Sequence, residues 1–206
     1  MNGLYYNLKN EFSLLDSEVF TKASMVAMSH SVEKVVKEYN LNADIYVLFQ
    51  DYSYFLYERK RYLEFDKLCR QIFILSKNIP EDAAKDFKKT RFIELDDQSP
   101  LLDEWAVTVI HPDNYAVLAT KEETHLQKIE KEDYRIFKGF LSLDEEIARQ
   151  SVLYYHNLFD QKEIPYFNQE WQSVDLTNQK PELEKLISLF VNDSLLELET
   201  KLRKLE

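Results

Sequence analysis

The sequence predicts an α/β fold: a mixed β-sheet of about four to six strands with helices packed on it, plus a C-terminal helical extension. Short runs rich in β-branched and aromatic residues alternate with longer segments whose apolar residues recur every three or four positions. Tyrosine and phenylalanine each occur 13 times among 206 residues, and hydrophobic residues make up 45% of the chain. This composition is sufficient for a substantial core.

Charge and glycine content exclude several classes of function. The formal net charge is −11, whereas nucleic-acid-binding domains usually carry a basic face, so we expect no nucleic-acid partner. The chain contains two glycines, Gly3 and Gly139, and phosphate-binding loops need clustered glycines. Nucleotide-binding fingerprints of the glycine-rich kind are therefore absent.

Cysteine, histidine and apolar-segment patterns set further limits. The single cysteine, Cys69, excludes an internal disulfide and a multi-cysteine metal site. The four histidines are far apart in sequence, so we predict no metal site, no catalytic residues and no cofactor. Residues 1–10 lack the pattern of a signal peptide, and no apolar stretch is long enough to span a membrane. We therefore expect a soluble, cytoplasmic protein without a membrane partner.

The first part of the chain is amphipathic. Residues 1–16 place leucine and phenylalanine at helical spacing, which predicts an N-terminal arm that docks on the body of the protein or on a second subunit. Over residues 21–39, apolar side chains recur in steps of three and four, which predicts a helix with one buried stripe. Ser29 and Glu33 are expected to lie away from that stripe.

A strand, a helix and a second strand follow. Residues 44–50 are almost continuously apolar, which is typical of a central strand covered on both faces. Either Asp51 or Ser53 can cap a helix over residues 54–71, and a strand is predicted at residues 72–75. This order predicts a parallel pair joined by a crossover helix. A short strand near a sheet edge is expected at residues 91–95.

Residues 101–121 have the clearest strand pattern. Trp105, Val107 and Val109 share one face of a strand, because side chains alternate between faces. A second alternating run follows after residues 111–114, where proline, aspartate and asparagine favour a turn. The segment is therefore predicted to form a β-hairpin.

One more strand and one more helix complete the predicted domain. The strand covers residues 134–141 and contains Gly139, which indicates a bulge or a close backbone approach. The helix is expected to start at Ser142 through a capping box with Glu145. The α/β domain is predicted to span residues 17–160.

Residues 161–206 are predicted to form a linker and a C-terminal helix. Leucines near the end recur in steps of three and four, as in short coiled-coil heptads. Dimerisation or partner docking and packing against the domain both fit this pattern. The candidate interaction residues are Leu195, Leu198, Leu202 and Leu205.

Several separated stretches resemble one family. The most specific is residues 101–107, with Glu104, Trp105 and Val107; residues 47–50 are similar to a Phe-Gln strand end. The other similar pieces are residues 24–33, Arg61 with Tyr62 and Leu68, Arg135 with Phe137, and Ser142 with Asp144. Over about residues 21–160 the sequence resembles the DICT domain, a sensory domain found with diguanylate cyclases and two-component systems. The resemblance implies an α/β sensory module linked to signalling outputs, with a suggested role in light responses.

The candidate ligand- or signal-sensing residues are Glu104, Trp105, Gln50, Arg135 and Tyr46, most of them at the ends of apolar strands. Glu104 and Arg135 are expected either to form a buried pair that fixes the sheet or to face a ligand, because buried charges are normally paired. Tyr46 and Gln50 are expected on one strand face, as in flavin photoreceptors that hydrogen-bond their chromophore.

Three functions are consistent with the sequence. The first is a non-enzymatic sensory or regulatory module that acts through a signalling protein or a second copy, in light or other environmental responses. The second is a receptor for a small molecule or chromophore, which the aromatic interior would hold. The third is a small hydrolase built around His111 and Glu104. The resemblance and the glycine-poor sequence favour the first.

Overall fold

The computed structural model describes residues 2–112, 114–123 and 135–159. The described helices are α1 (Leu4–Glu11), α2 (Lys22–Glu38), α3 (Tyr52–Leu68) and α4 (Glu145–Leu158). The described strands are β1 (Glu18–Thr21), β2 (Asp44–Leu48), β3 (Gln71–Ser76), β4 (Thr90–Glu94), β5 (Glu104–His111), β6 (Asn114–Glu122) and β7 (Ile136–Ser142). The predicted C-terminal helix, with Leu195, Leu198, Leu202 and Leu205, lies outside the described residues.

The strands form one mixed sheet in the order β1-β7-β6-β5-β2-β3-β4. The pairs β2–β3 and β3–β4 are parallel, and the other pairs are antiparallel. The mixed α/β fold is confirmed, with seven strands where the sequence predicted four to six. The strand that the sequence analysis missed is β1, which is mostly exposed and therefore shows no buried apolar alternation.

The predicted hairpin is confirmed and lies in the middle of the sheet. Strands β5 and β6 pair antiparallel, with Trp105 opposite Thr120 and His111 opposite Asn114. On the other side β5 pairs with β2, whose five residues are all buried. The continuous apolar run of β2 follows from this central position, because helices cover both faces of the sheet.

Two apolar cores lie on the two faces of the sheet. Helices α2 and α3 cover the face that carries Val107 and Val109, and Trp105 packs against that core. Helices α1 and α4 cover the opposite face, which carries Ala106 and Ile110. The alternation of β5 therefore sends successive side chains into different cores.

Helices α2 and α3 run parallel to each other. Charged contacts link His30 to Glu58, Glu33 to Arg61 and Lys37 to Glu64, in the same order along both helices. Helix α2 precedes β2 and helix α3 precedes β3, and these two strands are parallel, so parallel helices are expected.

Two local predictions are wrong. Glu33 and Ser29 are only 1% and 4% exposed, because Glu33 contacts Arg61 and Tyr62 of α3 and Ser29 contacts Trp105 of β5. Helix α4 starts after Asp144, whose carboxylate accepts a hydrogen bond from the Ile147 amide at 3.1 Å. Ser142 cannot be the cap, because its backbone still pairs with Val117 as the last residue of β7.

Gly139 makes the close backbone approach that the sequence predicted. It lies opposite Thr120 in β6, and an added Cβ atom would overlap the Ala119 carbonyl oxygen. The obstacle is backbone, which cannot rotate out of the way as a side-chain end can. A side chain at this position would therefore force β6 and β7 apart.

We expect Gly139→Ala to lower the free energy of unfolding by about 1–3 kcal/mol, because it overpacks a central strand pair. Urea unfolding followed by circular dichroism measures the change. Lys138→Ala, at an exposed position of the same strand, is the matched control and should stay within about 0.5 kcal/mol of wild type. Equal stability of the two variants would contradict the packing argument.

Candidate functional site

A cavity of about 310 Å³ lies between α2, α3 and the sheet. It opens at the carboxyl end of β2, where that strand has a parallel neighbour on one side and an antiparallel one on the other. Ligands of α/β proteins commonly bind beyond the carboxyl ends of strands, where connections diverge. The lining residues are Lys22, Val26, Ser29, His30, Glu33, Val47, Leu48, Phe49, Gln50, Tyr54, Tyr57, Glu58, Arg61, Trp105, Val107 and Arg135.

Trp105 forms a fixed part of the cavity wall. Its indole N–H donates a hydrogen bond to Ser29 Oγ at 3.1 Å. Its ring contacts the Phe137 ring edge to face, with 5.7 Å between the ring centroids. The burial of Ser29 is explained by this bond, because a buried indole N–H needs an acceptor. Val26 and Val107 line the same cavity, so the wall around the tryptophan is apolar.

A polar network joins α2 and α3 along one part of the cavity. The Glu33 carboxylate accepts hydrogen bonds from the Tyr62 hydroxyl and from Arg61. Arg61 also donates to Glu58 at 3.0 Å, and His30 lies 3.3 Å from the same carboxylate. Each charge in this network faces an opposite charge, as burial requires.

Burial and pairing act in opposite directions on the two acids. Burial raises the pKa of Glu33, and the Arg61 charge and the Tyr62 hydroxyl oppose that rise only in part. At Glu58 burial favours a higher pKa, but the hydrogen bond from His30 and the charge of Arg61 outweigh this effect. The net result is a lowered pKa for Glu58. Glu58 therefore keeps its charge in acid more readily than Glu33 does.

A second polar network involves Gln50, Glu122 and Arg135. Arg135 Nε donates to Glu122 Oε1 at 2.8 Å, and the Gln50 amide nitrogen donates to Glu122 Oε2 at 3.1 Å. The Gln50 amide oxygen accepts a hydrogen bond from Arg135 in return. The Arg135 guanidinium also lies over the rings of Tyr54 and Phe137, at 5.4 Å and 5.1 Å. This network ties the end of β2 to β6 and to the start of β7.

The structure brings together three of the five predicted sensing residues. Trp105, Gln50 and Arg135 line the cavity, whereas Tyr46 does not. Tyr46 points into the opposite core and stacks on Phe73 and Tyr155, at 4.6 Å and 5.6 Å. The expectation that Tyr46 and Gln50 share a strand face is wrong, because β2 ends at Leu48 and the alternation ends with it.

Glu104 also faces the core opposite the cavity, so its predicted pairing with Arg135 is wrong. It is 1% exposed, and Oε1 accepts a hydrogen bond from the Tyr5 amide at 3.1 Å, at the start of α1. Amides in the first turn of a helix lack partners within the helix, and a carboxyl group supplies one. Gly3 permits this approach, because an added Cβ atom there would overlap the Glu104 carboxylate. Oε2 has no hydrogen-bond partner among the described residues.

The two residues of the hydrolase hypothesis, His111 and Glu104, do not come together in the structure. His111 and Glu104 are at opposite ends of β5, which separates them by about 23 Å at the usual rise of a strand. Among the described residues, no three histidine, cysteine, aspartate or glutamate side chains are grouped so that they could hold a metal ion. Within the same residues, no helix combines the length and apolar character needed to cross a membrane.

Residues 3–123 match the model of a family described as a sensory domain in diguanylate cyclases and two-component systems, DICT. The match covers more than half of the 206 residues. The chain belongs to the DICT family. The matched part of the DICT domain runs from α1 to β6 and holds every cavity residue except Arg135. Comparison with curated proteins gave no match.

Sequence reasoning from periodicity missed several residues of the site, above all His30, Glu33, Glu58 and Arg61. Polar residues on the outer side of a helix are usually solvated, and nothing in the spacing shows that a second helix covers them. The family resemblance did contain a signal, since Glu33 and Arg61 both belong to the stretches similar to the DICT domain. Their pairing explains why charged residues can stand on helices that face the core.

We expect Glu104 to make stability pH-dependent in an unusual direction. Burial raises its pKa from an ordinary value of 4.5 to about 8, with the amides of Tyr5 and Leu4 opposing the rise. Between these values the folded chain binds more protons than the unfolded chain, so this contribution to stability is present in acid and is lost as the pH rises towards 8. Through this group the wild-type free energy of unfolding should fall by an amount on the order of 3–5 kcal/mol between pH 5 and pH 8.5, and Glu104→Gln should not show this fall.

Urea unfolding of wild type and Glu104→Gln at a series of pH values tests this expectation. Glu18→Gln changes an exposed glutamate of β1 and serves as the control, which should follow the wild-type pH profile. Identical pH profiles for Glu104→Gln and wild type would show that Glu104 is ionised in the folded protein.

Proposed function

We propose that this DICT domain senses a small molecule that binds in the cavity between α2, α3 and the sheet. The observation that carries the proposal is the cavity itself. Its volume of about 310 Å³ is at the lower end of the range for small-molecule sites. Most of its surface is apolar or aromatic, although eight of the 16 lining residues are polar, and a mainly apolar surface with polar groups at fixed positions is usual for such sites.

The proposal includes a route from the ligand to a signalling partner. The cavity lies between α2 and α3 and is lined by charged side chains through which the two helices contact each other, so a ligand there would change how α2 and α3 pack. Tyr57 lines the cavity and is also 87% exposed, and its neighbour Leu56 is exposed as well. A partner protein that contacts this part of α3 would therefore detect occupancy of the cavity. Self-association through the C-terminal leucines stays a prediction.

A light response would require that the bound molecule absorbs visible light. The absorption spectrum of the protein purified from its own host separates the two versions of the proposal. A visible band that disappears on denaturation and extraction would identify a chromophore. A bound molecule without such a band would identify a receptor for a metabolite.

We expect Val26→Trp to abolish ligand binding, because the larger side chain fills the cavity from α2. Val19→Trp makes the same change at an exposed position of β1 and serves as the matched control. The two variants and wild type are incubated with a small-molecule extract of the host and examined by native mass spectrometry. Wild type and Val19→Trp should retain a bound molecule, and Val26→Trp should retain at least about tenfold less.

Two outcomes would contradict the proposal. Wild-type protein that retains nothing from the extract would show that the cavity is not a receptor site for a host metabolite. Equal retention by Val26→Trp and wild type, with both variants folded by circular dichroism, would place the bound molecule elsewhere.

A further inference from the structure

The charges around the cavity are met within its own walls. Arg61 faces Glu33 and Glu58, and His30 faces Glu58 as well. Arg135 faces Glu122, which lies just behind the lining. The Lys22 ammonium lies over the Tyr54 ring at 5.6 Å and has further contacts. Arg61 and Arg135 therefore need no counter-charge from a ligand, and Lys22 already contacts an aromatic ring.

This pairing opposes a charged ligand. A net charge that enters an apolar, partly buried site loses its hydration, and that loss is recovered only if a fixed opposite charge is available. Here an anion that pairs with Arg135 or Arg61 would have to displace Glu122 from Arg135, or Glu33 and Glu58 from Arg61, and a cation that pairs with one of these carboxylates would have to displace the arginine. The displaced side chain would then be left buried and unpaired, which adds to the cost.

The positions of the two networks describe the shape of the ligand. The Lys22 amide donates to the Arg135 carbonyl at 3.1 Å, so the start of α2 lies beside the second network. Glu33 is eleven residues further along α2, which corresponds to about 16 Å at the rise of an α-helix. Val26 lies between these ends, and so does Ser29, which accepts the hydrogen bond from the Trp105 indole. An apolar, aromatic-walled space is thus bounded by hydrogen-bonding groups at both ends.

We infer that the ligand is an uncharged, flat aromatic molecule of about two fused rings with hydrogen-bonding groups at its edges. The inference rests on the proposed function, because it assigns a chemical class to the ligand of the same cavity. The rings contact the apolar wall and the face of Trp105 or Tyr54. A polar group at the edge of the rings meets one of the two networks, that of Gln50 or that of Glu33, without separating its ion pairs.

Three probes of equal size and different charge test the inference: 2-naphthamide, 2-naphthoate and 2-naphthylmethylammonium. Their binding to the full chain is measured by isothermal titration calorimetry at neutral pH and physiological salt. We expect the amide to bind at least about tenfold more tightly than either ion. Val26→Trp should lose the amide, and Val19→Trp should bind it as wild type does.

The outcomes separate the two proposals. If an ion binds as tightly as the amide, and Val26→Trp abolishes that binding, the ligand class is wrong and the cavity is still a receptor site. If no probe binds, or if Val26→Trp binds the amide as wild type does, the inference is overturned. The host-extract experiment then decides the proposed function alone.

Discussion

Helices cover both faces of the central sheet, and most features of the structure depend on this double burial. The five residues of β2 are all buried, and β5 sends alternate side chains into two separate cores. Polar groups near the ends of these strands therefore cannot rely on water and need partners within the fold. Glu104 meets the first amides of α1, and Gln50 joins the pair of Glu122 and Arg135. The two faces therefore differ: one carries Glu104, which accepts a hydrogen bond from the first turn of α1, and the other carries the cavity.

The sequence was sufficient to predict the parts of the fold that depend on local pattern. The alternation from Trp105 to Val109 predicted the hairpin, and the order of strand, helix and strand predicted the parallel pair of β2 and β3. Strand β1 was not predictable in this way, because it is an exposed edge strand whose pairing with β7 is decided by distant residues. The start of α4 was misplaced because two adjacent residues, Ser142 and Asp144, are both good caps, and the length of β7 selects the second.

The candidate site was predicted only in part, for a related reason. Sequence shows that a buried Glu104 or Arg135 needs a partner, but it does not show which residue that partner is. In the fold, Glu104 contacts a residue 99 positions away in the sequence, and Arg135 contacts one 13 positions away. Gln50 and Trp105 were found because they lie near the ends of apolar runs, Gln50 two residues after β2 and Trp105 as the second residue of β5, and many ligand sites lie near strand ends. Glu33 was missed because its burial depends on α3, which no property of α2 reveals.

The way in which α2 and α3 are held explains why a cavity between them suits a sensory domain. Each helix is fixed to the sheet by its apolar stripe, and three charged contacts among the described residues link the two helices. The Lys37–Glu64 pair is about half exposed and is therefore screened by water and salt, whereas Glu33 in the Glu33–Arg61 pair is only 1% exposed. A ligand shifts such an arrangement only by the difference between its affinities for the two packings of α2 on α3. Under the proposed function, binding in the cavity therefore shifts α2 against α3 only as far as the ligand binds one packing more tightly than the other, while the apolar stripe of each helix stays on the strands.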